Sequence, residues 1–249
     1  MKQTRILLIL PAYNEEKSLP SLLKRIDFVF TEFELNAEVL VVNDGSKDKT
    51  LQIARDFQGS YKLHIADVQP NQGLANAIRV GFTEAVKMVG DNDFIFLMDA
   101  DDSHPPALIP RMINRLHEGA DVVIASRYRE GSRIKGLSRF RKLLSSGAGI
   151  LFRLFIRLQG VRDYTCGFRG YRAAVLKQAM EFYGDRFIEE KGFSAMAEVI
   201  IKMKRFNPIF IEVPFILRYD QKGSDSKMNV FKTIRQSLKI ILRYMFKMK

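Results

Sequence analysis

The sequence contains a single cysteine, Cys166, and no stretch of about 20 consecutive apolar residues. One cysteine excludes an intramolecular disulfide and fits a reducing compartment. No recognisable motif surrounds this cysteine, which favours a small buried residue over a nucleophile. Because a helix needs about 20 apolar residues to cross the hydrocarbon core of a bilayer, we expect no transmembrane helix.

Two nucleotide-binding motifs are also missing. The pattern G-x-x-x-x-G-K-[ST] does not occur, which argues against a P-loop enzyme. The pattern G-x-G-x-x-G does not follow the first predicted strand, which argues against a dinucleotide-dependent dehydrogenase. Any nucleotide site in this chain must therefore be built in another way.

Acidic residues are absent from two segments, 131–162 and 229–249, and this absence accounts for the net charge of +12. The first segment carries eight Lys and Arg residues and the second carries six, while the other 26 basic residues are balanced by 28 acidic ones. Such segments indicate an anionic partner, which could be membrane lipid, phosphate or nucleic acid. No RRM, KH or helix-turn-helix pattern occurs, so we expect no nucleic-acid partner.

Apolar runs alternate with helical patterns, which predicts the α/β class with a doubly wound, mostly parallel sheet. The expected strands are Arg5–Leu10, Ala37–Asn43, Lys62–Ala66, Asp93–Asp99, Asp121–Ser126, Thr165–Arg172 and Pro208–Leu217. The expected helices are Leu19–Phe33, Asp48–Phe57, Gly73–Val89, Pro106–Glu118, Ala173–Phe182 and Phe193–Phe206. A loop at 127–138 precedes a basic amphipathic helix at about 139–159. We expect one domain over residues 1–228, followed by a basic amphipathic C-terminal helix at 229–249.

Asp99 and Asp101 are the strongest candidates for chemistry, because they follow the buried apolar run 94–98 directly. Residues two apart on an extended chain point the same way, so both carboxylates can address one point. Mg²⁺ and Mn²⁺ use one or two carboxylates together with substrate phosphates. The alternative is a solvated acidic turn before Pro105. His104 could lie near the metal, although a lone histidine is more often structural.

Seven segments together resemble the large inverting glycosyltransferase family with the GT-A fold, and within it the dolichol-phosphate mannosyltransferase and polyprenyl-phosphate glycosyltransferase branch. The resemblance covers about residues 5–230, in order. The matching segments are Pro11-Ala12-Tyr13-Asn14-Glu15, Val41-Val42-Asn43-Asp44-Gly45-Ser46, Asn71-Gln72-Gly73-Leu74, Asp99-Ala100-Asp101, Ser126-Arg127-Tyr128, Asp163-Tyr164-Thr165-Cys166-Gly167-Phe168-Arg169 and Gly223-Ser224-Asp225-Ser226-Lys227.

The resemblance implies roles for individual residues. The nucleotide-sugar is expected to contact Pro11, Tyr13, Glu15, Asn43, Asp44, Asp99 and Ala100. A divalent cation, Mg²⁺ or Mn²⁺, is expected on Asp99, Asp101 and Ser103. Donor or acceptor phosphates are expected near Arg127, Arg141, Asp163 and Lys227, with Arg127 taking part in catalysis beside the two aspartates.

Two segments depart from the pattern of that branch, at three positions. Asn43 stands where the branch often has Asp, which changes a possible contact to the base. Asp102 and Ser103 stand where the branch often has Leu and Gln. Ser103 therefore replaces an amide that could bind the metal, and Asp102 adds a negative charge beside it.

The resemblance implies transfer of a hexose from a GDP- or UDP-sugar to a polyprenyl or dolichyl phosphate. A phosphate monoester is largely ionised at neutral pH and needs no strong general base. A sugar hydroxyl, the alternative acceptor, needs one, and Glu189, Glu190 and Glu198 are the candidates. Two rival interpretations are a non-enzymatic nucleic-acid binder and a catalytically idle membrane-associated protein; the Asp99/Asp101 pair argues against the second.

The two basic segments also predict a membrane contact. At helical spacing the C-terminal segment places apolar residues beside a basic stripe. The apolar residues are Phe231, Ile234, Leu238, Ile241, Leu242 and Met245. The segment 139–159 repeats the pattern with Leu143, Leu144, Leu151, Phe155 and Leu158. Basic amphipathic helices lie in the headgroup plane, so we expect a peripheral enzyme on the cytoplasmic face of a membrane. Packing of both apolar faces on the domain is the alternative.

Overall fold

The computed structural model describes residues 4–136, 151–192, 194–221, 235 and 238–244. The strands are β1 Ile6–Ala12, β2 Ala37–Asp44, β3 Leu63–Val68, β4 Phe94–Leu97, β5 Val122–Ser126, β6 Arg133–Lys135, β7 Arg169–Arg172, β8 Phe210–Pro214 and β9 Ile216–Arg218. The helices are α1 Leu19–Glu32, α2 Thr50–Arg55, α3 Leu74–Met88, α4 Ile109–His117, α5 Ala173–Tyr183 and α6 Ser194–Met203. Short 3₁₀ turns occupy Pro106–Leu108, Gly184–Phe187, Lys204–Phe206 and Tyr219–Gln221, and residues 151–155 and 238–244 are also helical.

Seven strands form one sheet in the order β3-β2-β1-β4-β7-β5-β8. All neighbouring pairs are parallel except those made by β7, which runs antiparallel between β4 and β5. In the register, Ile9 lies opposite both Leu40 and Leu97. The carboxyl ends of β1, β2 and β4 therefore meet at one edge of the sheet, where open α/β sheets bind their ligands. The α/β class and the mostly parallel sheet are confirmed.

Burial on both faces explains why the central strands are continuous apolar runs. Every residue of β1 is buried, and Leu7, Leu8, Ile9 and Leu10 have no exposed surface. Helices cover the sheet: α1 does so with one apolar face that contains Leu22 and Ile26, whereas α6 is buried along its whole length. A fully buried leucine contributes about 1.5–3 kcal/mol relative to an exposed one, so this core holds the site's strand ends in place.

Three parts of the predicted secondary structure were wrong in extent. The expected strand Thr165–Arg172 is paired only from Arg169 onward. The expected strand Pro208–Leu217 is interrupted at Phe215 and forms β8 and β9. β9 leaves the main sheet and pairs in parallel with β6, which lies inside the predicted loop 127–138. β6 has only three residues and little buried surface, so its sequence shows no apolar periodicity from which a strand could be predicted.

Most of the two basic amphipathic segments, namely residues 139–150, 229–234, 236, 237 and 245–249, lies outside the described residues. Among the described residues, no helix combines the length and apolar character that crossing a membrane would require.

Gly45 offers a test of the turn that follows β2. Its φ is +66°, and a Cβ there would lie 2.4 Å from the backbone nitrogen of Asn71. Gly192 has nearly the same φ, +67°, but a Cβ there would meet no atom within 4 Å. We predict that Gly45→Ala lowers the free energy of unfolding by clearly more than the roughly 1–2 kcal/mol expected for strain alone, whereas Gly192→Ala loses only that amount. Urea denaturation measures both, and equal losses would contradict the close approach.

Candidate active site

Asp44, at the end of β2, fixes the loop that precedes α3. It is 2% exposed, and its Oδ2 accepts hydrogen bonds from Asn71 Nδ2 and the Gly73 amide, both at 2.8 Å. Its Oδ1 accepts one from the Gln72 amide at 2.9 Å. This carboxylate already makes three hydrogen bonds in the folded chain. A contact from Asp44 to a ribose or base stays a prediction and would use its remaining acceptor capacity.

Asn43 has a local reason to be an amide. Its Nδ2 donates to Asp67 Oδ1 on the neighbouring strand at 2.7 Å, and the side chain is fully buried. A carboxylate in this place would face the partly exposed Asp67 with like charge, which is unfavourable at this distance. Its Oδ1 is buried and makes no hydrogen bond to the described residues, so it is available to a ligand's donor.

Glu15 and Tyr13 lie on the turn that follows β1. Glu15 is 8% exposed; its amide donates to Thr50 Oγ1 at 2.7 Å and its Oε2 accepts from Ser18 Oγ at 2.6 Å. Tyr13 is half-buried, and Pro11 is buried at the end of β1. The turn therefore borders the same sheet edge as Asp44, as the parallel register of β1 and β2 requires.

Asp99, Asp101 and Ser103 form a turn directly beyond β4. The Asp99 side chain is 31% exposed. Asp101 is 8% exposed, and its Oδ1 accepts from the amide and the hydroxyl of Ser103 at 3.1 and 2.6 Å. The Ser103 hydroxyl donates a hydrogen bond to Asp101, so the lone pairs on its oxygen stay available as acceptors. Gly167 approaches from the facing loop, where a Cβ would lie 3.0 Å from Asp99 Oδ1.

The donor set of this turn suits a hard divalent ion that also binds a diphosphate. Two carboxylates and a hydroxyl are oxygen ligands, and Mg²⁺ or Mn²⁺ completes such a set with substrate oxygens and water. Within the described ranges no three His, Cys, Asp or Glu side chains gather as a metal cluster. His104 lies beside this turn, its Nδ1 3.9 Å from Asp99 Oδ2 and without a hydrogen bond in the described structure.

Arg127 and Asp163 form a buried ion pair beyond β5. Arg127 Nε donates to Asp163 Oδ2 at 2.8 Å, and its Nη2 donates to Asp163 Oδ1 at 2.6 Å and to Thr165 Oγ1 at 2.7 Å. The Arg127 and Asp163 side chains are 13% and 0% exposed. Burial by itself raises the pKa of Asp163, but the guanidinium and the hydrogen bonds outweigh it and hold that pKa below its usual range. The two predicted phosphate-site residues are thus brought together, and much of the charge of Arg127 is balanced within the chain.

A match to a protein-family model assigns the chain that carries these residues to a family. The model of glycosyl transferase family 2 matches residues 7–179, more than half of the chain. The chain belongs to glycosyl transferase family 2. The match includes the turn after β1, the Asp44 loop, the Asp99–Ser103 turn and the Arg127–Asp163 pair.

Two relatives resemble this glycosyltransferase over most of its length. A dolichol-phosphate mannosyltransferase of Pyrococcus furiosus is 33% identical over 242 residues, covering 97% of this chain. The chain spans 64% of that protein's length. An undecaprenyl-phosphate mannosyltransferase of Micrococcus luteus is 32% identical over 227 residues, covering 90% of this chain and 88% of the relative.

Solved structures share the fold of this glycosyltransferase. Glucosyl-3-phosphoglycerate synthase of Mycobacterium tuberculosis, in complex with Mn²⁺, UDP and phosphoglyceric acid, aligns with a TM-score of 0.63 at 19% identity, covering 96% of this chain and 76% of the other. The same enzyme with Mg²⁺ and UDP gives 0.61 at 18% identity, covering 96% and 77%. At this identity the likeness establishes the GT-A fold alone.

The sequence analysis did not predict two residues that adjoin the Arg127–Asp163 pair, Glu212 and Arg129. Glu212, on β8, accepts hydrogen bonds from the amides of Arg162 and Asp163, both at 2.6 Å. Its other oxygen lies 3.0 Å from Arg129 Nε. Arg129 follows Arg127 at a spacing of two, so alternation along the chain after β5 was the available signal. Glu212 had none, since only the parallel pairing of β5 with β8 brings it to this loop.

Two predicted phosphate ligands of the glycosyltransferase, Arg141 and Lys227, lie outside the described residues. A further arginine comes close instead: Arg153 stacks on Tyr128 with its guanidinium carbon 5.3 Å from the ring centre, and Arg127 lies 5.6 Å from the same ring. Cys166 is buried, and burial raises the pKa of its thiol to about 12, as expected for a structural residue.

The Arg127–Asp163 pair predicts a specific pH dependence of stability. The folded-state pKa of Asp163 is depressed, so its contribution is fully present above its unfolded pKa of about 3.9 and is lost as pH falls through the folded value. Asp163→Asn should cost about 3–5 kcal/mol at pH 7, because Arg127 loses a buried partner. The difference from the wild type should shrink below about pH 4.

Urea denaturation at pH 7 and pH 3 measures this difference. Asp91→Asn is the control, because Asp91 pairs with Lys177 but its side chain is 72% exposed, and it should change stability by no more than about 0.5 kcal/mol. A cost of Asp163→Asn that is unchanged between the two pH values would show that the carboxylate charge is not what stabilises this loop.

Proposed function

We propose that this chain is an inverting glycosyltransferase that moves a hexose from a GDP- or UDP-linked sugar to a polyprenyl or dolichyl phosphate, with a divalent cation. One observation carries the proposal. The Asp99 and Asp101 carboxylates lie at the ligand-binding edge of the sheet, in a chain that resembles two polyprenyl-phosphate mannosyltransferases over 90% or more of its length. Asp99 and Asp101, with Ser103, would hold the cation and through it the diphosphate of the donor.

A cation bound there would neutralise charge that develops on the departing diphosphate. The chain's own part is positioning. The buried Asn43 and the Asp44 loop would contact the base and ribose, and Tyr13 and Glu15 border the same space. Rigid placement of donor and acceptor accounts for much of the rate in reactions of this type.

The state of the three candidate bases favours a phosphate acceptor. Glu198 is fully buried; its Oε2 accepts from the amides of Glu189 and Glu190 at 2.8 and 2.7 Å, and its Oε1 lies 2.8 Å from Lys202 Nζ. Glu189 also pairs with Lys202 at 2.8 Å, and Glu190 pairs with Arg243 at 3.0 Å. Each of the three carboxylates is thus engaged by a cation within the chain, which supports a phosphate acceptor over a sugar hydroxyl that needs a general base within hydrogen-bond reach. An ionised lipid phosphate needs no such base.

Acceptor assays distinguish this proposal from transfer to a saccharide. The protein is incubated with GDP- or UDP-hexoses and Mn²⁺, with either a polyprenyl phosphate or an oligosaccharide as acceptor. With the hexose of the donor labelled, we expect the label in the lipid extract only. A thermal-shift screen of UDP and GDP, each with and without Mn²⁺, identifies the base of the donor. Label only in the oligosaccharide would support the alternative acceptor.

The Asp99–Ser103 turn provides a test of the proposed metal dependence. We predict that Asp101→Ala lowers transfer by at least about a hundredfold, since a bound cation supplies several kcal/mol of charge stabilisation. Asp91→Ala, a surface carboxylate outside the site, should retain wild-type activity. Excess EDTA should reproduce the effect of Asp101→Ala. Full activity of Asp101→Ala, or of the wild type in EDTA, would rule out the metal-dependent mechanism.

A peripheral membrane contact forms part of the proposal, and the helix 238–244 refines it. Ile240, Ile241 and Tyr244 are buried on the domain, and Tyr244 Oη lies 3.3 Å from Glu198 Oε1. The predicted apolar stripe therefore divides, because Ile241 packs inward while Leu238 and Leu242 are 42% and 56% exposed. The segment 151–155 behaves alike, with Phe152 buried and Leu154 and Phe155 exposed. Both exposed pairs accompany basic residues, which suits an anionic headgroup layer.

Vesicle binding tests this surface. We predict that Leu238→Ser with Leu242→Ser lowers co-sedimentation with anionic vesicles by about tenfold or more, because each leucine loses apolar burial in the interface. Phe28→Ser removes a side chain that is 68% exposed on α1 and should leave binding unchanged. Binding should weaken with added salt and on deletion of residues 231–249. Equal pelleting with neutral and anionic vesicles would remove the electrostatic part of the proposal.

A further inference from the structure

Asp102 occupies an unusual position between Asp101 and Ser103, two of the residues proposed to hold the cation. Its φ is +60°, in the left-handed region that few residues other than glycine adopt, although aspartate tolerates it. The residue is only 6% exposed. Its Oδ1 lies 2.5 Å from Nη1 of Arg25, in the middle of α1. Asp102 thus reaches a helix on the face of the sheet, while Asp101 directs a carboxylate oxygen to Ser103.

The ion pair answers a local electrostatic problem. Asp99, Asp101 and Asp102 place three negative charges within four residues, and buried like charges disfavour one another. The left-handed backbone at Asp102 turns its side chain to Arg25, which supplies the opposite charge. A buried carboxylate that loses its paired cation becomes costly and drives rearrangement of its surroundings.

The turn is also fixed from the opposite side. The Ser103 carbonyl accepts a hydrogen bond from the Arg218 amide of β9 at 3.0 Å. The Ser103 amide and hydroxyl both bond to Asp101 Oδ1. A shift of Asp102 would therefore move Ser103, and with it the hydrogen bonds that orient the Asp101 carboxylate.

We propose that Arg25 is a positioning residue of the active site. Its ion pair with Asp102 attaches the Asp99–Ser103 turn to α1 and keeps the Asp102 carboxylate directed to Arg25. Asp99 and Asp101 are then the carboxylates presented to a divalent cation. The cation itself belongs to the proposed function, on which this part of the inference rests. The anchoring of the turn is a property of the chain alone and can be measured without metal.

Four variants test the proposal: Arg25→Met, Arg25→Lys, Asp102→Asn and the double variant of Arg25→Met with Asp102→Asn. Asparagine keeps the shape of Asp102 and its tolerance of positive φ but removes the charge. Arg5→Met is the matched control, because Arg5 forms an ion pair of similar length, 2.6 Å, with Glu38, and its side chain is 33% exposed against 35% for Arg25. Arg5 precedes β1 and lies at the amino end of the strand, away from the site.

Two quantities are measured for each folded variant. Hydrogen exchange at the Ser103 amide reports the bond to Asp101 in the protein without metal. Electron paramagnetic resonance of free Mn²⁺, with GDP and UDP present, reports cation affinity. Arg25→Met should speed exchange at Ser103 and weaken Mn²⁺ binding about tenfold, as loss of a residue that orients metal ligands does. Adding Asp102→Asn should restore both quantities to near the wild type, and Arg25→Lys should stay near it throughout.

The outcomes separate the two proposals. Unchanged Ser103 exchange in Arg25→Met, or no recovery in the double variant, would overturn the positioning role. An equal loss of Mn²⁺ affinity in Arg5→Met would show that the effect is general destabilisation and overturn it as well. If the wild type binds no Mn²⁺ with either nucleotide, the proposed metal-dependent function fails, while faster Ser103 exchange in Arg25→Met with recovery in the double variant still supports the anchor.

Discussion

Parallel pairing of β1 with both β2 and β4 is the constraint on which the site depends. These strands are buried on both faces and pair in the observed register, so a one-residue slip would displace the polar segments that follow them relative to one another. With Ile9 opposite Leu40 and Leu97, the polar segments beyond all three strands emerge at one edge. Asp44 and Asp99 come to the same edge of the sheet, on either side of β1, because of this register, although they are far apart in the sequence.

Buried carboxylates also fix several of the loops that surround this sheet. Asp44, Asp163, Glu212 and Glu198 each accept at least two hydrogen bonds from backbone amides of a neighbouring loop. A loop has no sheet or helix partner for its amides, and an ionised oxygen forms stronger hydrogen bonds than a neutral one. Acidic residues in this chain therefore have a structural role beside their proposed contacts with ligands, and substitutions among them affect stability and activity together.

Positive charge is distributed between the two tasks in a similar way. Arg25, Arg127 and Arg129 each pair with a buried acid and stabilise a turn or loop near the site. The two segments without acidic residues carry the excess charge of the chain. The proposed contacts with phosphate and with a membrane draw on that excess, because arginines already paired with buried acids contribute less to the outer field.

The sequence determined the class of the fold, the approximate bounds of the first five strands and the importance of the segments after them, because apolar periodicity and strand-end polarity are local properties. It also determined the family, through motifs in a fixed order. Tertiary structure decided which acids pair with which cations: Arg25 with Asp102, Arg127 with Asp163 and Arg129 with Glu212. It also decided that Ile241 packs inward while Leu242 stays exposed. Partners 36 to 83 residues apart meet only after the sheet has formed, and no local pattern encodes which face of a helix another element will cover.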